Sequence, residues 1–496
     1  MHFQAFTSFL LLGVAHPVAC HPLASAPTVT IKNGTLIGTR NPTYNQDFFL
    51  GVPYASPPVG DLRLRKPVPP ESWNGTRVAD TYSNWCFGID LGLPGFSQNS
   101  TGPMSEDCLY LNIVRPANVP PTAKLPVMAW IHGGGFLEGS ANDPRYNGSF
   151  LVDNSVKMGI PVIFASLNYR LGAFGMLAGS EAEKAGVTNV FLRDQRQALY
   201  WIQENIAEFG GDPSKVTVFG ESAGAISVGL QLIAYGGRDE GLFSAAIMES
   251  GGPYHSQMIT READKEASFT GLLNATNCTE APDALTCLRS APASSLLKAA
   301  SWPISVDGDI LPESGPIAMA NGHFLKVPIL TGTNRNEGST ISKLATSLPI
   351  NNSSDFQAIL GDVLPYSTIT ETQHQSLWDM YRSATNASGD AGLGTVVANY
   401  SGNYWGAATL IVGDIAFVAG RRSVNQLYAQ EYGVAHFQEI PFVFGNWQGV
   451  GWDVNPVPAG DKETSYYKLA ETMSRMWLSF AVNHSPNYHK CTVLSF

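Results

Sequence analysis

Short apolar runs alternate with amphipathic segments along the first two-thirds of the chain. Six of these runs are almost continuously apolar and rich in β-branched or aromatic residues, at positions 109–114, 126–132, 161–169, 216–220, 245–250 and 327–332. Runs of this length and composition are typical of strands that are buried on both faces, which favours a mainly parallel sheet.

Between the predicted strands, apolar residues recur at helical spacing. The segment 193–209 has this pattern and ends at Gly210-Gly211, and the segment 225–234 predicts a second helix. A third helix is predicted near the end, where the apolar positions are Met473, Met476, Trp477 and Phe480. Alternating strands and helices predict an α/β fold with right-handed crossovers, in which a site lies beyond the carboxyl ends of the strands.

Composition favours one large globular domain. The 496 residues are 44% hydrophobic and 14% charged, and no linker, repeat or low-complexity block divides them. The net charge is −11, with the Lys and Arg residues dispersed. This charge argues against a nucleic-acid partner, which would require a basic surface.

The first residues predict export from the cell. An apolar run at 9–15, too short to span a bilayer, is followed by small residues, so residues 1–20 are predicted to be a signal peptide with cleavage after Cys20, Ala24 or Ala26. The domain would then span 27–496, and no later stretch indicates integral membrane association. N-glycosylation sequons recur at Asn33, Asn74, Asn99, Asn147, Asn274, Asn277, Asn351, Asn352, Asn386, Asn399 and Asn483.

Cysteine usage agrees with an oxidising compartment. If Cys20 leaves with the leader, the pairs Cys86–Cys108 and Cys278–Cys287 each enclose a short loop, and Cys491 is left over. Each pair, if bridged, would stabilise the fold by roughly 3 kcal/mol; buried free thiols are the alternative. Cys491 lacks the neighbouring His and Cys residues of a metal site, and no metal or organic cofactor is expected.

The segment Gly220-Glu221-Ser222-Ala223-Gly224 follows a predicted strand and precedes a predicted helix. A serine nucleophile on such a sharp turn needs small flanking residues, and the helix N-terminus places its amides beside developing negative charge. A glycine-lined turn with an inert serine is the alternative. We interpret Ser222 as the nucleophile.

A glycine loop, His132-Gly133-Gly134-Gly135-Phe136, directly follows another predicted strand. Backbone N–H groups without side chains in the way can donate to an oxyanion when they are held rigidly. His132 is interpreted as ordering this loop.

A serine nucleophile needs a base, and the base needs an acid that orients it. His436 follows a β-like run and comes last in the order serine, acid, histidine, so we favour it over His255, His323 and His374. Glu337 lies just beyond the predicted strand 327–332 and is the favoured acid. The pattern alone leaves Asp307, Asp309 and Asp414 open as alternatives.

At these residues the chain resembles the type-B carboxylesterase/lipase family, which includes cholinesterases and fungal lipases such as that of Candida rugosa. The matching segments are FFLGVPYASPPVGDLR, EDCLYLNI, HGGGF, NYRLGAFG, FGGDPSKVTVFGESAG, GTNRNEG and HFQEIPFVFG. The resemblance implies an α/β-hydrolase fold, with helices on both faces of a large, mostly parallel sheet. It also implies a Ser222–Glu337–His436 triad, both disulfides, and oxyanion donors from Gly134, Gly135 and Ala223.

The chain departs from the family pattern in three places. The Cys86–Cys108 loop is short and contains no tryptophan of the kind with which cholinesterases hold a quaternary ammonium. The segment before His436 is short, and the chain stops where relatives continue for some tens of residues, so a C-terminal truncation is expected. The sequence thus predicts a secreted serine esterase for small esters; the alternatives are a long-chain lipase or sterol esterase and a catalytically impaired binding protein.

Overall fold

The computed structural model describes residues 26–92, 97, 102–254, 258–299, 303–334, 337–338, 342, 349–365, 367–383, 402–422, 439–452, 455 and 463–488. The predicted leader, Cys491 and His436 lie outside these described residues, so the structure says nothing of them.

A central sheet of eight strands organises the fold. In chain order the strands are β1 Thr39–Asn41, β2 Gln46–Pro53, β3 Tyr110–Pro116, β4 Leu125–Ile131, β5 Ile163–Leu167, β6 Gly211–Glu221, β7 Ala245–Glu249 and β8 Ile329–Gly332. Across the sheet the order is β1-β2-β3-β5-β4-β6-β7-β8. Strands β5, β4, β6, β7 and β8 are mutually parallel, whereas β1, β2 and β3 form an antiparallel edge.

Each of the six predicted runs overlaps one strand of this sheet, which confirms the expected strands and the mostly parallel pairing. Strand β3 differs from the expectation because it pairs antiparallel with both of its neighbours. Its apolar run reflects burial on both faces of the sheet, and that burial is independent of strand direction. Smaller sheets contain the strands Thr28–Ile31, Gly34–Ile37, Thr76–Val78, Trp85–Cys86, Met104–Ser105, Met258–Ile259 and Ile304–Ser305.

Four helices pack on the sheet near the site: α1 Ser149–Lys157, α2 Val190–Asn205, α3 Ala223–Ile233 and α4 Glu463–Asn483. The other α-helices described are Gly172–Gly175, Ser180–Lys184, Glu262–Thr276, Ala284–Ser290, Ala293–Lys298, Gly315–Asn321, Ser353–Val363, Glu371–Tyr381, Trp405–Gly413 and Ile440–Val443. Short 3₁₀ turns lie at Gly60–Leu62, Pro121–Ala123, Pro144–Tyr146, Ile206–Phe209, Ala234–Gly236 and Pro486–Tyr488, and Asp414–Val418 is π-helical.

Alternation of side chains along the strands produces a core on each face of the sheet. On one face, α2 and α3 pack against residues such as Ala129 and Val218. On the other face, α1 and α4 cover Trp130, Phe219 and Ile247. Helices on both faces confirm the predicted layer arrangement.

The disulfides Cys86–Cys108 and Cys278–Cys287 are both formed, as the family resemblance implied. Among the described helices, none has the combined length and apolarity needed to cross a bilayer. The described residues also contain no group of three or more His, Cys, Asp or Glu side chains arranged to hold a metal ion.

Candidate active site

Ser222 lies on the tight turn between strand β6 and helix α3. Its backbone has φ 55° and ψ −122°, a strained conformation for a residue with a side chain. The turn is packed so closely on β4 that a Cβ at Gly224 would lie 2.0 Å from the Ile131 carbonyl oxygen. Glycine is therefore required on this flank of the serine, and the turn presents Ser222 at the carboxyl edge of the sheet, as the sequence predicted.

Two backbone hydrogen bonds hold this strained turn. The Ser222 N–H donates to the Glu249 carbonyl oxygen at the end of β7 (2.9 Å), and the Ser222 carbonyl accepts from Ile226 N–H (2.8 Å). Ala223 is the first residue of α3, so its amide belongs to the positive end of the helix dipole. The surrounding structure thus stabilises a conformation that the residue would not adopt alone.

The glycine loop contacts this turn directly. A Cβ at Gly133 would lie 3.1 Å from the Ser222 Cβ and 2.8 Å from the Glu221 carbonyl oxygen. Gly134 and Gly135 have φ values of 107° and 60°, which side chains disfavour. The structure therefore brings the predicted nucleophile and the predicted oxyanion loop together.

His132 fixes the direction of the Gly134 N–H, the first of the predicted oxyanion donors. Its ring stacks on Tyr169 with centroids 4.5 Å apart, and its Nδ1 lies 2.9 Å from the Gly133 carbonyl oxygen. Burial lowers the pKa of His132 to about 4, so the ring is neutral at pH 7 and its Nδ1–H donates to that carbonyl. Because a peptide group is planar, fixing the Gly133 carbonyl also fixes the Gly134 N–H.

The direction of the Gly135 N–H, the second predicted oxyanion donor, is fixed by backbone hydrogen bonds within the loop. The N–H groups of Leu137 and Glu138 both donate to the Gly134 carbonyl, at 2.9 and 3.0 Å. The same planarity then fixes the Gly135 N–H, which points away from that carbonyl. These contacts preorganise the two predicted donors before any substrate arrives, as an oxyanion site requires.

Glu337 is buried beyond the end of β8 and is oriented by two donors. Its Oε1 accepts hydrogen bonds from Ser250 Oγ (2.6 Å) and from the Asn334 N–H (2.5 Å). Ser250 directly follows Glu249, whose carbonyl binds the Ser222 amide. The sequence analysis missed Ser250; its position directly after an apolar strand is the signal that could have found it.

The described residue nearest to His436 in the sequence is Glu439. The Asn334 Nδ2–H donates to Glu439 Oε2 (2.5 Å), which attaches residue 439 to the loop that contains Glu337. The placement of the His436 ring itself lies outside the described residues.

Two buried carboxyl groups near Ser222, those of Glu221 and Glu249, were not predicted from the sequence. Glu221 and Glu249 are paired in register across β6 and β7, and parallel register partners face the same side of the sheet. Glu249 Oε1 accepts from Trp477 Nε1 of α4 (2.7 Å). Burial, followed by the charges of Glu439 and Glu221, raises the pKa of Glu249 well above its ordinary value.

The alternative bases and acids have other surroundings. His323 is on the surface beside Glu313, and His374 is buried against Phe356 in a helical cluster; His255 is outside the described residues. Among the alternative acids, Asp414 accepts from the Tyr381 hydroxyl, and Asp307 and Asp309 bind Thr188, Asn189 and Arg193. By contrast, Glu337 accepts a hydrogen bond from Ser250, which directly follows the residue that holds the Ser222 amide.

A narrow apolar cleft lies beside Leu137, just after the glycine loop. It is bounded by the start of the Cys86–Cys108 loop, by the segment after β5 and by the helix Ala293–Lys298, and its larger lining side chains are Phe87, Ile89, Leu137, Leu171, Phe174 and Leu296. Such a lining suits a hydrocarbon group rather than a charged one.

Comparisons with known proteins agree with this geometry. A model of the carboxylesterase family matches residues 25–494. Lipase 1 of Geotrichum candidum is 35% identical over 429 residues, covering 77% of this chain and 71% of the lipase. Acetylcholinesterase of Electrophorus electricus is 32% identical, covering 93% of this chain and 80% of that enzyme. The crystal structure of Aspergillus niger EstA superposes with a TM-score of 0.79 at 29% identity, covering 95% of this chain and 91% of EstA.

Proposed function

The chain belongs to the carboxylesterase family and is a carboxylic ester hydrolase, and we propose that it acts through an acyl-enzyme on Ser222 with His436 and Glu337. The observation that carries this proposal is the direct packing of the strained Ser222 turn against the glycine loop. That packing puts a nucleophile beside two preorganised N–H donors, which is the arrangement acyl transfer needs.

In the proposed first step, Ser222 Oγ attacks the ester carbonyl carbon while His436 takes the hydroxyl proton. Glu337 stabilises the imidazolium, and the amides of Gly134, Gly135 and Ala223 receive the oxyanion. As the tetrahedral intermediate collapses, His436 gives its proton to the departing alkoxide, and an alcohol leaves. Water then attacks the acyl-serine by the same route and releases the carboxylic acid.

Two features of the described residues support the role of His436. The contact between Asn334 and Glu439 ties the chain three residues after His436 to the loop of Glu337. The described alternatives, His323 and His374, are engaged at the surface and in a separate helical cluster. We therefore assign the base to His436.

The test is hydrolysis of p-nitrophenyl butyrate combined with labelling by an organophosphate. Ser222→Ala is expected to lower kcat at least about 10⁴-fold and to abolish labelling, because no other group supplies the nucleophile. Ser214→Ala, at an exposed serine, is the matched control and should behave as wild type. Labelling of the wild type at another serine, or full activity of Ser222→Ala, would contradict the mechanism.

A corresponding pair of variants tests the base. His436→Gln should lower kcat by several orders of magnitude, whereas His323→Gln, at the exposed histidine, should leave it unchanged. Activity that survives in His436→Gln but disappears with another histidine would reassign the base.

The substrates are proposed to be small, apolar carboxylic esters. The cleft next to the glycine loop is narrow and lined by apolar side chains, which suits a hydrocarbon group. Rates on p-nitrophenyl esters from acetate to palmitate test this proposal. A maximum at short acyl chains, about four to eight carbons, is expected because the cleft is narrow. A maximum at palmitate with interfacial activation would instead indicate a lipase.

Export is proposed from several observations. The disulfides fit an oxidising compartment. The chain is also similar to secreted lipase 1 of Botryotinia fuckeliana, at 38% identity over 363 residues. Most described sequon asparagines are exposed, namely Asn74, Asn274, Asn277, Asn351, Asn352 and Asn483. Asn33 is an exception because its buried amide donates to the Pro70 carbonyl. Recovery from culture medium, N-terminal sequencing and a mass decrease on deglycosylation test secretion, cleavage and glycosylation together.

A further inference from the structure

We propose that Glu138 is a positioning residue for the oxyanion site, through which the Cys86–Cys108 loop holds the glycine loop in its active shape. The inference rests on the proposed function, since it concerns the amides that receive the oxyanion.

Glu138 is a buried acid whose backbone N–H bonds to the glycine loop and whose carboxyl group bonds to the Cys86–Cys108 loop. Its N–H donates to the Gly134 carbonyl, one of the two bonds that fix the peptide plane carrying the Gly135 N–H. The residue is only 3% exposed, and its carboxyl group bonds to the Cys86–Cys108 loop. There Oε1 accepts from Ser97 Oγ (2.7 Å) and Oε2 accepts from the Leu91 N–H (3.2 Å).

The two loops run against each other on both sides of these bonds. The Ile89 N–H donates to the Leu137 carbonyl (2.7 Å), and a Cβ at Gly88 would lie 2.4 Å from that same oxygen. The Leu91 side chain packs over Gly135, reaching 3.2 Å from where a Cβ would stand. The disulfide Cys86–Cys108 closes the Cys86–Cys108 loop, called the outer loop below, close to these contacts.

A buried carboxyl group needs a reason to be retained, because desolvation disfavours it. Burial raises the pKa of Glu138, whereas the bonds from Ser97 and Leu91 and the charge of Arg145 oppose that rise and Asp90 adds to it. An apolar residue would fill the same space without this cost. What the carboxyl adds is two acceptor atoms in one rigid group, which match two donors of the outer loop.

The expected effect follows from how sensitive acyl transfer is to donor direction. A small displacement of reacting groups or their donors costs about 10- to 100-fold in rate. Glu138→Ala should therefore lower kcat for p-nitrophenyl butyrate by that factor while KM changes less than about threefold. Rates are normalised to sites titrated by an organophosphate, so that unfolded protein is not counted.

Glu138→Gln is the conservative variant. Its Oε1 can accept from Leu91 and its amide can donate to Ser97, whose hydroxyl rotates to accept. It should keep kcat within about threefold of wild type. Glu280→Gln, at an exposed acid, is the matched control for the loss of a charge.

A transition-state analogue separates positioning from general loss of stability. The affinity for an alkyl trifluoromethyl ketone, which forms an oxyanion on Ser222, should fall in step with kcat/KM in Glu138→Ala. Ser97→Ala removes one hydroxyl and gives a second variant if Glu138→Ala folds poorly. It should lower kcat a few-fold, and it should have no further effect when added to Glu138→Ala.

Two results would overturn the inference: a normal kcat per titrated site in Glu138→Ala, or additive effects of the Ser97 and Glu138 substitutions. A wild-type protein that the organophosphate does not label would instead contradict the proposed function. The two failures are therefore distinguishable.

Discussion

The proposed oxyanion side of Ser222 is held mainly by backbone atoms, whereas the proposed acid side is held by side chains from distant parts of the chain. On the oxyanion side, the amide planes of Gly134 and Gly135 are fixed by contacts among residues 132–138. On the acid side, Glu337 depends on Ser250, and Asn334 reaches Glu439 across 105 positions. The first arrangement is local and rigid, and the second is assembled by tertiary packing.

The difference suits the charges that the proposed reaction develops. The oxyanion forms where the surrounding donors are neutral amides and where His132, with a pKa of about 4, carries no charge. In the proposed reaction the imidazolium of His436 would be stabilised by Glu337, whose carboxyl group lies in the same cluster as Asn334 and Glu439. The proposed mechanism thus expects amide donors at the oxyanion and a carboxyl group at the imidazolium.

Among the substitutions that test this contrast, replacing the acid Glu337 should lower kcat the most. Glu337→Gln keeps the shape of the side chain and an acceptor for Ser250, but it cannot stabilise an imidazolium. We expect kcat to fall by about 10³- to 10⁴-fold with little change in KM. Steady-state kinetics on p-nitrophenyl butyrate measure this, and Glu313→Gln at a surface acid is the control. A loss smaller than tenfold would mean that another carboxyl group orients the base.

On the proposed oxyanion side, a substitution that displaces the backbone should lower kcat. At Gly134 a Cβ would lie 2.2 Å from the Glu138 carbonyl oxygen, and φ is 107°. Gly134→Ala must therefore turn the peptide planes, and kcat should fall about 10²- to 10³-fold. Gly75→Ala is a control, because Gly75 also has positive φ (76°) but no atom stands near its Cβ position. Equal losses of activity in both variants would indicate general destabilisation instead.

The same contrast explains what could be predicted from the sequence. The glycine loop and the turn at Ser222 each follow an apolar strand, and their geometry depends on glycines within a few positions, so a local pattern was sufficient. Glu337 could be placed at the correct sheet edge because it follows β8. Its donor Ser250, however, becomes a neighbour only once β7 and β8 pair in register.

Other features could not be read from local patterns for physical reasons. Strand β3 is buried on both faces, and burial produces the same apolar run in either direction of pairing. Glu249 ends the apolar strand β7, where a charged residue commonly marks the surface. Only the packing of α4 and Trp477 on that face buries it. The role of Glu138 likewise requires the outer loop to be folded onto the glycine loop.

His132 allows the oxyanion side to be tested by pH. Its folded-state pKa of about 4 lies below its ordinary value of 6.5, so the unfolded chain binds the extra proton first as pH falls. Stability is therefore lost between pH 6.5 and 4, by up to about 3 kcal/mol. His132→Gln, which cannot titrate, should show a correspondingly flatter dependence in urea unfolding at pH 7, 5.5 and 4.5. His323→Gln is the exposed control, and an unchanged slope in His132→Gln would refute the assignment.

The smallest effect is expected on the acid side, at Glu249, and it has the opposite sign. Its raised folded-state pKa means that the folded protein holds a proton that the unfolded chain releases, so stability falls as pH rises above the ordinary value. Glu249→Gln keeps the acceptor for Trp477 and removes this penalty. We expect a thermal midpoint about 2 to 4 °C higher at pH 8, with the gain shrinking as the pH falls towards the ordinary pKa of a carboxyl group. Glu280→Gln should show no such pH-dependent gain, and destabilisation of Glu249→Gln at pH 8 would mean that an ionised Glu249 contributes favourably to the fold.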